Sequence, residues 1–112
     1  MVTGYFVIKL PRFWIGVYMD VLKGQLRVLS KKYSLEIIGL LYESPNYVSN
    51  IASILGIPYA TTQQRVNELV RAKILESYSS LEELSKRPVR MVRLKNFRLE
   101  LSPRIISQIV NN

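Results

Sequence analysis

The polar side chains between Tyr59 and Asn67 are the part of the sequence best suited to chemistry with another molecule. If this segment is a helix, one of its faces carries Tyr59, Thr61, Gln63, Gln64 and Asn67. Gln and Asn present a donor and an acceptor side by side, which matches the edge of adenine, and Thr can meet an acceptor or the thymine methyl group. We therefore predict that this face reads base pairs in the major groove of duplex DNA. The alternative is that it is only the solvated side of an amphipathic helix.

Basic residues accompany this polar face and continue after it. The chain of 112 residues has 16 Lys and Arg against 8 Asp and Glu, a formal net charge of +8. A small domain with this charge suits a polyanionic partner. The residues that we predict to contact the DNA backbone or the minor groove are Arg65, Arg71, Lys86, Arg87 and Arg90. Arg93 and Lys95 are explained equally well as the solvated face of a strand.

The residue types that dominate enzyme and metal chemistry are missing. The sequence has no Cys and no His, which excludes a thiolate nucleophile, a Cys- or His-based metal site and a histidine general base. The carboxylates are scattered, and there is no glycine-rich phosphate loop. We therefore expect a non-enzymatic protein with no cofactor and no metal. No apolar run reaches the roughly 20 residues that span a bilayer, so we also expect a cytoplasmic protein with no membrane partner.

Hydrophobic periodicity and turn residues predict the elements that hold these side chains. Apolar residues recur at helical spacing in five segments. In the second, Ser34 is in place for an N-cap, and the predicted buried side is Leu35, Ile38, Leu41 and Tyr42. The single domain predicted over residues 1–112 consists of an extended segment (1–11), three helices (12–29, 34–43 and 48–55), a recognition helix (58–72), a wing hairpin (74–95), a further strand (96–101) and a C-terminal helix (103–111).

Gly56 has neighbours at the spacing of a helix-turn-helix. Ala52 lies four residues before it, where only a small side chain lets two helices cross closely, and Ile57 follows it. The inner face of the recognition helix is predicted to carry Thr62, Val66 and Leu69. Together with the hairpin that follows, this pattern predicts an α+β fold, mainly α, of the winged helix-turn-helix type.

The segment Ile51–Glu76, IASILGIPYATTQQRVNELVRAKILE, resembles the helix-turn-helix of winged-helix regulators of the ArsR and MarR type, especially archaeal ones. The preceding SLEIIGLLYES resembles the helix that these proteins place before it. The resemblance covers about residues 34–94 and implies a transcription regulator that binds double-stranded DNA. It implies no metal effector, because metal-sensing members use Cys or His. The wing departs from the family pattern, since Glu82 and Glu83 lie at a tip where Gly, Lys and Arg are usual.

The first and last predicted helices carry more apolar surface than one small core needs. The last one has an apolar stripe of Ile105, Ile106, Ile109 and Val110. We therefore predict N-terminal and C-terminal dimerisation helices and a homodimer with its recognition helices one DNA turn, about 34 Å, apart. The alternative for the first helix is that it only covers the core. Two other functions stay open: a winged-helix adaptor that binds a protein, which would explain the acidic wing tip, and a non-specific nucleic-acid or chromatin binder.

Overall fold

Five helices and three short strands follow one another along residues 11–111, the part of the chain that the computed structural model describes. They are α1 (Arg12–Leu29), α2 (Ser34–Glu43), β1 (Asn46–Tyr47), α3 (Val48–Leu55), α4 (Tyr59–Arg71), β2 (Leu75–Leu81), β3 (Pro88–Leu94) and α5 (Pro103–Asn111). The strands form one antiparallel sheet in the order β1–β3–β2. The predicted extended segment 1–11 lies outside the described residues except for Pro11, which precedes α1.

The hydrophobic core brings together all the helices up to α4 and the sheet. Its buried members are Val28, Ile37, Leu41, Val48, Ile51, Val66, Leu69, Ile74, Leu75 and Val92. Burying one Leu or Ile side chain stabilises a folded state by about 1.5–3 kcal/mol. Because α4 contributes Val66 and Leu69 to this core, its rotation about its own axis is fixed. Its opposite face is therefore held outward.

The turn between α3 and α4 has the geometry that its glycine predicts. Gly56 lies in the left-handed region, at φ 67°, where a side chain is strained. The Ile57 N–H donates to the Ala52 carbonyl oxygen at 3.0 Å, which closes the end of α3 as a glycine cap does. Ala52 and Ile57 are both buried. The predicted inner face of α4 is confirmed, since Thr62, Val66 and Leu69 have no exposed surface.

The prediction for the buried side of α2 is right in part: Leu41 is buried and Ile38 is partly buried against the core. Ser34 does not cap the helix: its hydroxyl is buried and donates to the Val28 carbonyl oxygen at 2.6 Å. The residue before it, Tyr33, has a left-handed backbone and no side-chain cap. Because Ser34 is held inward against the end of α1, the buried face follows at Ile37 and Leu41. The predicted core residues on the other side, Leu35 and Tyr42, are exposed.

The wing is a regular hairpin of β2 and β3. Leu75 pairs with Leu94 at its base, and Leu81 pairs with Pro88 at its tip. The tip itself is a single helical turn, in which the Lys86 N–H donates to the Glu82 carbonyl oxygen at 2.8 Å. On its other side, β3 pairs with β1. The sequence pattern does not predict β1, because two residues are too few to show alternation.

The prediction of a strand over residues 96–101 is wrong. The chain from 95 to 102 has no regular secondary structure. The Phe97 N–H donates to the Lys95 carbonyl oxygen at 2.9 Å, which turns the chain sharply. This turn packs the Phe97 ring against the core. Regular strand pairing ends with Leu94 and Leu75, and one further hydrogen bond, from the Lys95 N–H to the Ile74 carbonyl oxygen at 2.9 Å, precedes the turn.

The C-terminal helix begins as its sequence predicts. The Ser102 hydroxyl accepts a hydrogen bond from the Ile105 N–H at 3.2 Å, and Pro103 is the first helical residue. Ile105 is buried and α5 packs on α1, while Ile106 and Val110 are exposed. Among residues 11–111, no helix combines the length and the apolar character that a membrane crossing requires.

Candidate nucleic-acid interface

The outer face of α4 carries the five side chains predicted to read bases. Tyr59 and Gln64 are exposed, while Thr61, Gln63 and Asn67 are half-buried. None of the five is fully buried against the protein. The face is polar and uncharged over its first two turns, and it begins at the helix N-terminus, whose N–H groups favour a nearby anion.

One residue of this face is bound by the wing. An Arg90 guanidinium nitrogen (Nη1) donates to Oδ1 of Asn67 at 2.6 Å, between residues 23 positions apart. Arg90 lies on β3 and is half-buried. A hydrogen bond from a charged donor is about twice as strong as one between neutral groups. This bond therefore holds the wing and the outer face of α4 in one arrangement.

A cleft joins the start of α4 to the wing and to the start of α3. Its volume is about 320 Å³, and its polar lining consists of Tyr47, Ser49, Tyr59, Arg87 and Arg90. The N-termini of two helices, two guanidinium groups and several hydroxyl groups all suit an anion such as a phosphate. Three of these residues were predicted from the sequence. Tyr47 and Ser49 were not, and the only sequence signal for them is their position at the start of α3.

The wing tip is ordered by one of its two glutamates. The Glu82 carboxylate accepts hydrogen bonds from the Ser85 hydroxyl and, at 3.4 Å, from the Tyr47 hydroxyl, and it lies 3.7 Å from an Arg87 nitrogen. The hydrogen bond from Ser85, more than the charge of Arg87, holds the pKa of Glu82 below its ordinary value. Glu82 thus organises the tip beside the cleft. Lys86, Arg87 and Glu83 are exposed there.

Arg65 is predicted from the sequence to contact the DNA backbone, but its side chain is bonded within the protein and does not line the cleft. Its Nε donates to the Lys32 carbonyl oxygen at 2.9 Å, and its Nη1 pairs with the Glu68 carboxylate. Lys31 binds the other oxygen of Glu68 at 2.9 Å. Hydrogen bonds from Lys31 first and Arg65 second hold the pKa of Glu68 below its ordinary value. Only 14% of the Arg65 side chain is exposed, so this residue ties α4 to the α1–α2 turn instead of facing a ligand.

Arg71 and Arg93 also lie away from the cleft. Arg71 is the last residue of α4 and is exposed. It lies about 18 Å along the helix from Tyr59. The helix dipole favours a cation at this end. Arg93 pairs with Glu76 at 2.6 Å and lies over the Tyr78 ring, 4.7 Å from its centroid. The hydrogen bond with Glu76 raises the pKa of Arg93. This arrangement favours the interpretation of Arg93 as part of a solvated strand face.

Comparison with solved structures identifies the arrangement of these elements. A homodimeric winged helix-turn-helix DNA-binding domain from Mycobacterium bovis, a possible ArsR-family transcriptional regulator, matches with a TM-score of 0.61 at 17% identity, over 77% of this chain and 73% of that chain. Reduced HlyU from Vibrio cholerae matches with a TM-score of 0.55 at 16% identity, over 91% and 93% of the two chains. A transcriptional regulator homologue from Pyrococcus horikoshii matches with a TM-score of 0.55 at 21% identity, over 82% and 92%.

These likenesses rest on structure. No family model and no curated protein matches the sequence. In this chain the helix-turn-helix consists of α3 and α4 around Gly56, and the hairpin of β2 and β3 follows it. The chain has the winged helix-turn-helix fold.

Proposed function

We propose that this protein is a non-enzymatic transcription regulator that binds double-stranded DNA. The outer face of α4 enters the major groove, and the cleft beside the wing binds the DNA backbone. The observation that carries the proposal is this cleft, because it places Arg87 and Arg90 next to Tyr59 at the N-terminus of α4. A phosphate bound there would lie beside a helix end whose side chains point to the bases.

Exposure and charge separate the residues proposed to read bases from those proposed to contact phosphates. Thr61, Gln63 and Gln64 are uncharged hydrogen-bonding groups on the outer face, so they are the candidates for base reading. Lys86 and Arg87 at the wing tip, with Tyr47 and Ser49 across the cleft, are the candidates for phosphate contacts. Arg71 is a candidate for a phosphate further along the groove. Phosphate contacts position the protein, and base contacts give it sequence preference.

We propose that two copies act together. The outer side of α1 exposes Phe13, Trp14, Val17 and Val21, and α5 exposes Ile106 and Val110. Apolar side chains grouped on two packed helices are typical of a protein interface. The Mycobacterium bovis domain with the same fold is homodimeric. A dimer through these helices would place two α4 helices on successive major grooves of duplex DNA.

A second candidate function is an adaptor that binds another protein through the back of the wing. There, Leu81 and Leu84 are exposed, with 94% of Leu84 accessible. They line a cleft of about 480 Å³ together with Pro45 and Met91. This apolar surface does not suit DNA, and it is the observation that favours a protein partner.

The proposed function is tested by titrating a mixed-sequence duplex with the full chain at about 50 and about 200 mM salt. Each phosphate that the protein neutralises makes the log–log salt slope steeper by about 0.9. We expect Arg87→Ala to reduce this slope by about that amount, while Arg98→Ala, which removes an exposed cation outside the cleft, leaves it unchanged. A wild-type affinity that does not respond to salt would contradict the proposal and favour the adaptor.

A further inference from the structure

A second cleft lies between the C-terminal halves of α1 and α4, and none of its lining residues belongs to the wing. Its volume is about 240 Å³, just below the roughly 300–1,000 Å³ that is usual for ligand pockets, so an occupant must be a small molecule. We call it the α1–α4 cleft. Its lining consists of three cations, one carboxylate and three small or apolar residues: Arg27, Lys31, Arg71, Glu68, Gly24, Val28 and Ala72.

Two of the three cations have no anionic partner within residues 11–111. Lys31 binds one oxygen of the Glu68 carboxylate at 2.9 Å, and the other oxygen pairs with Arg65. Arg27 and Arg71 are exposed and form no ion pair in this part of the chain. Because Glu68 offsets Lys31, the cleft keeps the positive charges of the two arginines for an anion.

Capping of the helix ends does not account for the two arginines. Cations near a helix C-terminus often bind its last carbonyl groups. Here the Ala72 N–H donates to the Glu68 carbonyl oxygen at 3.0 Å at the end of α4. The Ser30 hydroxyl donates to the Arg27 carbonyl oxygen at 2.8 Å at the end of α1. The helix ends are thus capped by other groups, and the guanidinium groups of Arg27 and Arg71 stay available to a ligand.

The side of the cleft that α1 forms is kept open by Gly24. A glycine within a helix is less favourable than an alanine, and a Cβ at this position would meet nothing within 4 Å. The packing of the protein therefore does not require a glycine here. A larger side chain would project into the cleft and not into the core. The apolar surface beside Gly24 comes from Val28, which is buried, and Ala72, which is half-buried.

We propose that the α1–α4 cleft binds a small organic anion that has an apolar body. Its carboxylate or phosphate group pairs with Arg27 and Arg71, since guanidinium groups bind both kinds of anion through parallel hydrogen bonds. Its apolar body lies against Gly24, Val28 and Ala72. This site goes beyond the proposed function, because its ligand binds without DNA and only Arg71 is shared with the proposed DNA interface.

The test is an NMR titration of the full chain with benzoate, benzamide and inorganic phosphate. Benzoate has a charge and an apolar ring, benzamide has the ring without the charge, and phosphate has the charge without the ring. We expect benzoate to shift the amide signals of Gly24, Arg27 and Ala72 until they saturate. Its dissociation constant should be at least about fivefold lower than that of benzamide, because the charge-assisted hydrogen bonds are lost with the charge.

Two pairs of variants locate the site. Arg27→Met removes one guanidinium group, and Lys23→Met is its matched control, because it removes a cation of α1 that does not line the cleft. Gly24→Leu fills the cleft. Gly39→Leu is its control, because Gly39 also lies within a helix and a Cβ there also meets nothing within 4 Å. We expect Arg27→Met and Gly24→Leu to weaken benzoate binding by at least about fivefold, and the controls to leave it unchanged.

The outcomes that would overturn the proposal are distinct. Benzoate that binds no more tightly than benzamide would show that the arginines do not bind its charge. Phosphate that binds as tightly as benzoate would show that the apolar surface contributes nothing. Benzoate binding that neither Arg27→Met nor Gly24→Leu weakens would lie elsewhere on the protein, and Arg27→Met decides if Gly24→Leu does not fold.

A duplex titration separates a small anion from a DNA phosphate as the occupant. We expect Gly24→Leu to bind a mixed-sequence duplex as tightly as the wild type does. A loss of duplex binding in Gly24→Leu but not in Gly39→Leu would mean that the cleft holds a DNA phosphate, and this would overturn the proposal. If the wild type bound no duplex, the proposed function would fail, while the benzoate titration would still decide this inference.

Discussion

Tyr47 and Glu82, which are 35 positions apart, join the start of the helix-turn-helix to the tip of the wing. The Tyr47 hydroxyl donates to the Glu82 carboxylate at 3.4 Å. The same carboxylate binds Ser85 within the tip and lies 3.7 Å from Arg87. A glutamate at the end of a DNA-binding wing would repel phosphates if it pointed at them. Here the Glu82 carboxylate instead interacts with Tyr47, Ser85 and Arg87 of the protein itself.

Replacing Glu82 should therefore loosen the tip, whereas replacing its neighbour should not. In Glu82→Ala the Ser85 and Tyr47 hydroxyls lose their acceptor, so we expect amide hydrogen exchange at Lys86 and Arg87 to become several-fold faster. Glu83→Ala is the matched control, because Glu83 is exposed and forms no ion pair within residues 11–111. Equal exchange in both variants, measured by NMR, would show that the tip is held by its backbone alone.

A second carboxylate should make the stability of the fold depend on pH. Lys31 and Arg65 lower the pKa of Glu68 in the folded state. Its contribution is therefore complete above the ordinary value of 4.5 and is lost as the pH falls through the lowered folded-state pKa. We expect Glu68→Gln to reduce the free energy of unfolding by about 1 kcal/mol at pH 7. In urea denaturation the difference from the wild type should shrink as the pH is lowered below 4.5, and a difference that does not change there would contradict an ionic origin.

Replacing Gly56 and Gly39 with alanine should change the stability of the fold in opposite directions. Neither effect comes from a steric clash, because a Cβ at Gly56 or at Gly39 would meet nothing within 4 Å. Gly56 has φ +67°, where an L side chain costs roughly 1–2 kcal/mol. Gly39 lies within α2, where alanine is favoured by up to about 1 kcal/mol. Urea denaturation should show Gly56→Ala less stable and Gly39→Ala more stable than the wild type, and a loss in both would mean that Gly39 has a packing role.

The parts of the fold that sequence reasoning predicts are those set by local spacing. Gly56 and the 3.6-residue period determine the bounds of α3, the inner face of α4 and the turn between them, because a helix cap and a buried stripe are properties of neighbouring residues. The rotation of α2 is not local. It depends on the bond from Ser34 to the Val28 carbonyl oxygen, which no pattern within residues 34–43 could reveal.

The same distinction applies to the candidate site. The polar face of α4 is visible in the sequence, but the partners of its residues are not. In the sequence Arg65 looks like a free cation. In the fold its Nε donates to the Lys32 carbonyl oxygen, and Lys31 pairs with Glu68. Asn67 reads as a free amide until the wing folds back and Arg90 binds it. Tertiary contacts thus decide which side chains of a correctly predicted helix remain available to a ligand.

The exposed apolar face of α1 and α5 should control the oligomeric state. Val17 and Ile106 are 40% and 49% exposed, so Val17→Glu and Ile106→Glu leave the core of one protomer intact. In a dimer the same carboxylates would be buried without a partner, which is strongly unfavourable. We expect sedimentation velocity to show a dimeric wild type and monomeric variants. The variants should also bind a duplex with two half-sites more weakly, because each protomer then binds alone.

The control for this experiment is Leu84→Glu. Leu84 is the more exposed residue, at 94%, but it lies at the wing tip, away from α1 and α5. The change should leave the dimer intact, because a new charge on a solvated tip has no interface to disrupt. If Leu84→Glu dissociated the dimer while Val17→Glu and Ile106→Glu did not, the two copies would meet through their wings. This result would contradict a dimer through α1 and α5.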